Sequence, residues 1–185
     1  RVTNSLNDCP ADGLVVGAPG ITINLDGRTI DGGGSGNGIR NNGFDHVTIT
    51  GDGKIQEFDN GIQLNAGTVG NIVKVVTVER NKSAGVQMNN ADDGLNGNTV
   101  RDTLVTGNET AGIWLTGGTQ NAKLIGNNIG ANAKLGKQLN SVLKPGQWLK
   151  LISRLGRIET PTVPTEPSKY AIKVPKRASK AHVGE

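Results

Sequence analysis

The chain has 185 residues, which suits one domain with a hydrophobic core of its own. Glycine is abundant (28 residues), aromatic residues make up only 3%, and 7 prolines are an ordinary number, so a collagen-like or proline-rich chain is excluded. The net charge of +4 is uneven, because residues 1–132 carry 9 Lys and Arg against 13 Asp and Glu, whereas residues 133–185 carry 11 against 3. The basic pI of 9.3 is therefore no sign that the first part binds nucleic acid, and we expect no nucleic-acid partner.

A single cysteine, Cys9, excludes an intrachain disulfide. The two histidines, His46 and His182, do not have the spacing of metal ligands. The chain contains no stretch that is long and apolar enough to cross a membrane. From these residue types we expect no metal, no cofactor and no transmembrane segment.

A glycine followed by an aliphatic residue recurs at intervals of 25, 23, 24 and 27 residues. The pairs are Gly13-Leu14, Gly38-Ile39, Gly61-Ile62, Gly85-Val86 and Gly112-Ile113. Each pair opens a short run in which inward apolar residues alternate with outward residues, as in a half-buried strand. Self-similarity at this period indicates a solenoid.

Two further apolar runs follow in each repeat. The second run comprises Ile21–Leu25, Val47–Ile49, Val73–Val75, Val100 and Leu124, and the third comprises Ile30, Ile55, Val78, Val105 and Ile129. Three short strands in each turn of about 24 residues predict an all-β fold, a single-stranded parallel β-helix of about five coils. The leucine-rich consensus is missing, and helical periodicity does not appear before residue 137.

Asparagine recurs at the repeat period near the end of successive repeats, at Asn81, Asn108 and Asn132. A buried asparagine at one turn position in each coil can stack into a ladder, in which each side-chain amide bonds the next. Asparagine is also common in ordinary turns. The recurrence favours the ladder over the ordinary turn.

The stretches Cys9–Ala18 and Ile21–Gly32 resemble the opening coil of right-handed parallel β-helix repeat proteins. These proteins belong to the pectate-lyase-like superfamily, which includes NosD-like periplasmic proteins. The resemblance covers about residues 9–132 and departs from the family at Arg28, where a histidine is usual. The resemblance implies a right-handed β-helix and an extracytoplasmic setting. It does not imply one function, because members of the superfamily include lyases, hydrolases, epimerases and non-catalytic scaffolds.

Stacking would place outward residues of the first strands in two rows, about 4.8 Å apart from coil to coil. The first row is Val15, Arg40, Gln63, Gln87 and Trp114, and the second is Asn42, Asn65, Asn89 and Thr116. Amides hydrogen-bond sugar hydroxyls and an indole ring packs on sugar C–H faces, so this pattern suits carbohydrate binding by Arg40, Gln63, Asn65, Gln87, Asn89 and Trp114. The alternative is an ordinary solvated sheet surface.

The candidate catalytic residues are Asp92 and Asp93, in the long loop that follows the first strand of the fourth repeat. Glycoside hydrolysis uses two carboxylates at a set separation. The pair could instead form a solvated turn or help to bind Ca²⁺, although no calcium motif is present. A polysaccharide lyase would need a basic residue, for which Arg80 and Arg101 are the nearest candidates.

The domain organisation follows from the repeat. Residues 1–132 are predicted to form the β-helix, with an N-terminal cap at about 1–11. Residues 133–158 are predicted to contain a C-terminal cap with a short amphipathic helix, which covers the end of the solenoid or contacts an anionic membrane surface. Residues 159–185 have the Pro- and Lys-rich composition of a disordered tail.

These features suggest an extracytoplasmic β-helix domain that binds, and can process, a polysaccharide. The other hypotheses are a non-catalytic scaffold or interaction module of the NosD-like type, and a surface-anchored structural segment. Arg1 rather than Met opens the chain, and five coils are few for this fold, so we expect a mature form or a fragment of a longer solenoid. No signal peptide is visible, and the extracytoplasmic location rests on the resemblance alone.

Overall fold

The computed structural model describes residues 1–65, 67–89, 97–116, 119 and 121–132, and in these ranges the regular structure consists of 16 short strands without a helix. The strands are β1 Leu6–Cys9, β2 Leu14–Val15, β3 Thr22–Asn24, β4 Thr29–Gly32, β5 Asn37–Asn42, β6 Thr48–Thr50, β7 Lys54–Gln56, β8 Asn60–Asn65, β9 Ile72–Lys74, β10 Thr77–Glu79, β11 Ala84–Asn89, β12 Thr99–Arg101, β13 Leu104–Thr106, β14 Ala111–Thr116, β15 Lys123–Ile125 and β16 Asn128–Gly130.

The strands form three parallel sheets, and the chain visits the sheets in turn. The first sheet has the order β2-β5-β8-β11-β14, the second β3-β6-β9-β12-β15, and the third β1-β4-β7-β10-β13-β16. This is an all-β parallel solenoid of about five coils, as the sequence predicts. The predicted C-terminal helix and tail lie outside the described residues. Within the predicted N-terminal cap, β1 pairs with β4 and so extends the third sheet by one strand.

The predicted apolar positions stack in register inside the solenoid. In the second sheet the inward row is Ile23, Ile49, Val73, Val100 and Leu124, and in the third sheet it is Ile30, Ile55, Val78, Val105 and Ile129. Most of these side chains are fully buried. Each buried aliphatic side chain stabilises the fold by about 1.5–3 kcal/mol. Because every coil must supply such side chains at the same positions, apolar residues recur in the sequence once per coil.

The repeated glycines have a steric cause. A Cβ atom on Gly38 would lie 2.6 Å from the carbonyl oxygen of Gly61, one on Gly61 would lie 2.6 Å from that of Gly85, and one on Gly85 would lie 2.7 Å from that of Gly112. The backbones of successive coils therefore approach each other too closely at this position for any side chain. The glycine-aliphatic pair marks this contact between coils.

The corner that follows the third sheet repeats one backbone geometry. A residue with positive φ (Glu57, Arg80, Gly107 or Ala131, φ between 52° and 64°) precedes an inward residue, which is Phe58, Asn81, Asn108 or Asn132. The Nδ2 atom of Asn81 donates to Oδ1 of Asn108 at 2.9 Å, and Nδ2 of Asn108 donates to Oδ1 of Asn132 at 2.8 Å. The predicted asparagine ladder is confirmed.

A second asparagine stack, which was not predicted from the sequence, lies at the corner between the first and second sheets. Oδ1 of Asn98 accepts a hydrogen bond from the backbone N–H of Asn71 at 2.9 Å, and Oδ1 of Asn71 accepts one from Val47 at 2.8 Å. Both asparagines are buried. These side chains supply partners for backbone groups that the turns leave outside the sheets.

Candidate functional site

The outward residues of the first sheet form two aligned rows, which together we call the first-sheet face. Cα register places Val15, Arg40, Gln63, Gln87 and Trp114 in the first row, and Asn42, Asn65, Asn89 and Thr116 in the second. The alignment predicted from the sequence is thus correct. Parallel pairing brings all six predicted substrate-binding residues onto one surface, with neighbouring strands about 4.8 Å apart.

The centre of the first row is a pair of hydrogen-bonded amides. Nε2 of Gln63 donates to Oε1 of Gln87 at 2.8 Å, and both side chains are half-buried. In the part of the chain that the structure describes, this bond leaves Oε1 of Gln63 without a donor and Nε2 of Gln87 without an acceptor. Each side chain is therefore held in one orientation and still offers one hydrogen-bonding group.

Arg40 is held in place by a carboxylate from the preceding coil. Its Nε atom lies 3.0 Å from Oδ2 of Asp12 in an ion pair that does not have the geometry of a hydrogen bond, and the two side chains are 42% and 18% exposed. The other oxygen of Asp12, Oδ1, accepts hydrogen bonds of 2.9 Å from the backbone and side-chain nitrogens of Asn37. Asp12 is not among the site residues predicted from the sequence, and its position just before Gly13 is its only sequence signal.

The second row contains one buried polar atom that lacks a partner. Oδ1 of Asn65 is inaccessible to solvent and accepts no hydrogen bond from the described residues. One coil further on, Oγ1 of Thr116 donates to Oδ1 of Asn89 at 3.2 Å. An unpaired buried acceptor costs about 1–3 kcal/mol.

The candidate catalytic residues Asp92 and Asp93 lie outside the described residues, between β11 and β12. Of the basic candidates, Arg80 is paired with Glu57 at 2.9 Å and Glu79 at 3.0 Å, at the corner after the third sheet. Arg101, at the end of β12 in the second sheet, is paired with Asp102 at 2.8 Å. Neither arginine belongs to the first-sheet face, and each takes part in a surface ion pair.

The groups that could bind a metal are dispersed in the described ranges. No three side chains of His, Cys, Asp or Glu come together there. The half-buried thiol of Cys9 lies at the end of β1, where burial and, to a smaller extent, the charge of Asp31 raise its pKa. Cys9 is on the third sheet, away from the first-sheet face.

Comparisons with protein-family models, with curated proteins and with solved structures found no match to this chain. The class of the molecule is therefore given by its own architecture, a parallel β-solenoid. Across the described residues, no helix has the length and apolar character needed to cross a membrane.

Proposed function

We propose that this chain is an extracytoplasmic β-helix domain that binds a polysaccharide along its first-sheet face. The observation that carries the proposal is the single register row that unites Arg40, Gln63, Gln87 and Trp114. The row combines a guanidinium, two amides and an indole ring on a rigid scaffold. The extracytoplasmic location rests on the resemblance of residues 9–32 to secreted and periplasmic β-helix proteins.

The chemistry of the row matches that of a sugar chain. Sugar hydroxyls need hydrogen-bond donors and acceptors, which Oε1 of Gln63 and Nε2 of Gln87 still provide. The apolar face of a sugar ring packs on an aromatic ring, and Trp114 lies next to Gln87 at the end of the row. Because the bond between Gln63 and Gln87 fixes both amides before binding, little side-chain entropy remains to be lost.

Binding without catalysis is the second candidate, and the described part of the first-sheet face favours it. Neither row contains a carboxylate, and Asp12, which lies beside the first row, is paired with Arg40. Hydrolysis would require two carboxylates on opposite sides of a glycosidic bond. In an enzyme of this fold Asp92 and Asp93 would have to supply them, whereas a scaffold or interaction module would need neither.

The test is a glycan-array screen of the purified protein and of three variants. Trp114→Ala and Gln87→Ala remove the ring and the central amide, and each should weaken binding at least about tenfold if the face is the site. Gln56→Ala is the matched control, because Gln56 is an outward glutamine on the third sheet, bonded to Asp31 at 2.8 Å. The Gln56→Ala variant should bind the glycan with the same affinity as the wild type.

Two results would contradict the proposal. The first is a folded protein that binds neither neutral nor acidic glycans, which would favour the scaffold. The second is binding that Trp114→Ala and Gln87→Ala leave unchanged, which would move the site to another surface. If binding is confirmed, the wild type and the double variant Asp92→Asn/Asp93→Asn are incubated with the bound glycan. Products formed by the wild type and not by the double variant would identify an enzyme rather than a binding module.

A further inference from the structure

The end of β5 exposes an asparagine-glycine pair at the tip of a turn. Asn42 and Gly43 are both exposed, and Gly43 has a φ of 117°, with no atom beyond its chain neighbours within 4 Å of the place a Cβ would take. The turn is closed by Asn41, whose Nδ2 donates to the carbonyl of Phe44 at 2.7 Å and whose Oδ1 accepts from its N–H at 3.0 Å. Asn42 and Gly43, at the tip of the turn, take no part in these two bonds between Asn41 and Phe44.

We propose that Asn42 is a site of spontaneous deamidation in the folded protein. The backbone nitrogen of Gly43 loses its proton and attacks Cγ of Asn42, the bond from Cγ to Nδ2 breaks, and ammonia leaves as a five-membered succinimide forms. Water then opens the ring at either carbonyl and yields aspartate or isoaspartate. The net reaction converts an amide and water into a carboxylic acid and ammonia, and it needs no enzyme, oxidant or metal.

The same chain contains a protected asparagine-glycine pair. Asn60 and Gly61 are buried at the start of β8, and Nδ2 of Asn60 donates to Oδ1 of Asn37 at 3.3 Å. A Cβ on Gly61 would lie 2.6 Å from the carbonyl of Gly85, so the next coil packs directly on this backbone. The nitrogen of Gly61 cannot reach Cγ of Asn60 without opening of the coil. The two pairs have the same sequence and opposite accessibility.

The modification would change the charge of the first-sheet face. Asn42 lies two residues after Arg40 on the same strand, so the two side chains point to the same side of the sheet. Deamidation adds a carboxylate to a row that otherwise contains amides and a hydroxyl. The chemistry depends only on Asn42 and Gly43, and the inference does not depend on the proposed polysaccharide binding.

The experiment follows both pairs in one digest. The full chain is incubated at mildly alkaline pH, folded or in urea, and cleaved with trypsin after Arg40, Lys54 and Lys74, which separates residues 41–54 from residues 55–74. Mass spectrometry then measures deamidation of each peptide and fragmentation locates the residue. In the folded protein we expect Asn42 to deamidate at least about tenfold faster than Asn60, whereas in urea the two rates should be similar.

The variant Asn42→Gln keeps the amide but requires a slower, six-membered ring closure, so residues 41–54 should stay unmodified in it. Two outcomes would overturn the inference: a folded wild type in which Asn42 stays intact while both pairs react in urea, or equal rates for Asn42 and Asn60 in the folded protein. The measurement does not involve a glycan, so its result is separate from the test of polysaccharide binding.

Discussion

Val75 has a backbone conformation that its side chain disfavours. Its φ is 51°, in the left-handed region, and register places Gly51, Asp102 and Gly126 at the same corner of the other coils. A β-branched residue is strained there, whereas asparagine tolerates the conformation better. We expect Val75→Asn to raise the free energy of unfolding by about 1 kcal/mol, as measured by urea denaturation.

A matched control separates strain from the removal of an exposed apolar side chain. Val15 is 57% exposed and Val75 is 43% exposed, but Val15 lies in β2 without a positive φ. Val15→Asn should leave stability unchanged or lower it slightly. If both substitutions change the free energy of unfolding equally, backbone strain at Val75 has no measurable effect on stability.

The thiol of Cys9 should titrate above the usual range because burial, and then the charge of Asp31, raise its pKa. The thiolate is the reactive form, so the pH midpoint of its reaction with an aromatic disulfide reagent should lie above that of an unstructured cysteine peptide. Asp31→Asn removes a negative charge that opposes thiolate formation, so the midpoint should move to lower pH.

The control for this titration is Asp52→Asn, which makes the same charge change at an exposed corner residue that does not influence Cys9. Its midpoint should equal that of the wild type. A midpoint that Asp31→Asn does not move would mean that the charge of Asp31 does not influence the reactivity of Cys9.

At the scale of the elements, the asparagine ladder joins coils that have no covalent cross-link. Oδ1 of Asn108 accepts from the backbone N–H and the side chain of Asn81, and its Nδ2 donates to Asn132. Asn108→Ala would remove these bonds and leave buried partners unsatisfied. We expect it to lower the free energy of unfolding by about 2–4 kcal/mol.

Asn128→Ala is the control for the ladder, because Asn128 lies one coil along in β16 with an exposed side chain. It should change stability by less than about 0.5 kcal/mol. If the two alanine variants unfold at the same urea concentration, the ladder would be a geometric consequence of the corner rather than a source of stability.

The sequence predicted those elements that recur at the repeat period. The stack of Asn71 and Asn98 was missed because Val47 and Ala122 occupy the neighbouring coils, so no regular asparagine interval appears. The ion pair of Arg40 was missed for a related reason. Asp12 belongs to the preceding coil and stands before its strand, so strand alternation does not point to it.

At the scale of the whole molecule, fold and function are encoded by different sides of the same strands. Inward positions must fill a narrow core in every coil, which imposes a period that can be read from one sequence. Outward positions meet solvent and have no such requirement. Their register could be predicted from the repeat, and the structure confirms it, but the register does not specify a ligand. Catalysis by Asp92 and Asp93 therefore stays a prediction.

Each coil of the solenoid contacts only its neighbours, so the stability of the whole stack depends on the contacts between central coils. A Cβ on Gly85 would lie 2.5 Å from Cγ1 of Val105 and 2.7 Å from the carbonyl of Gly112, which opens the next coil. Gly85→Ala should therefore force adjacent coils apart and lower the free energy of unfolding by about 3 kcal/mol or more.

The control is Gly17→Ala, because a Cβ on Gly17 would have no atom beyond its chain neighbours within 4 Å, and Gly17 has no positive φ. Hydrogen exchange gives the spatial readout. Gly85→Ala should speed the exchange of β8, β11 and β14 together, because the three strands share one stack, whereas Gly17→Ala should change none of them. Faster exchange confined to β11 would mean that the coils adapt locally and do not depend on continuous stacking.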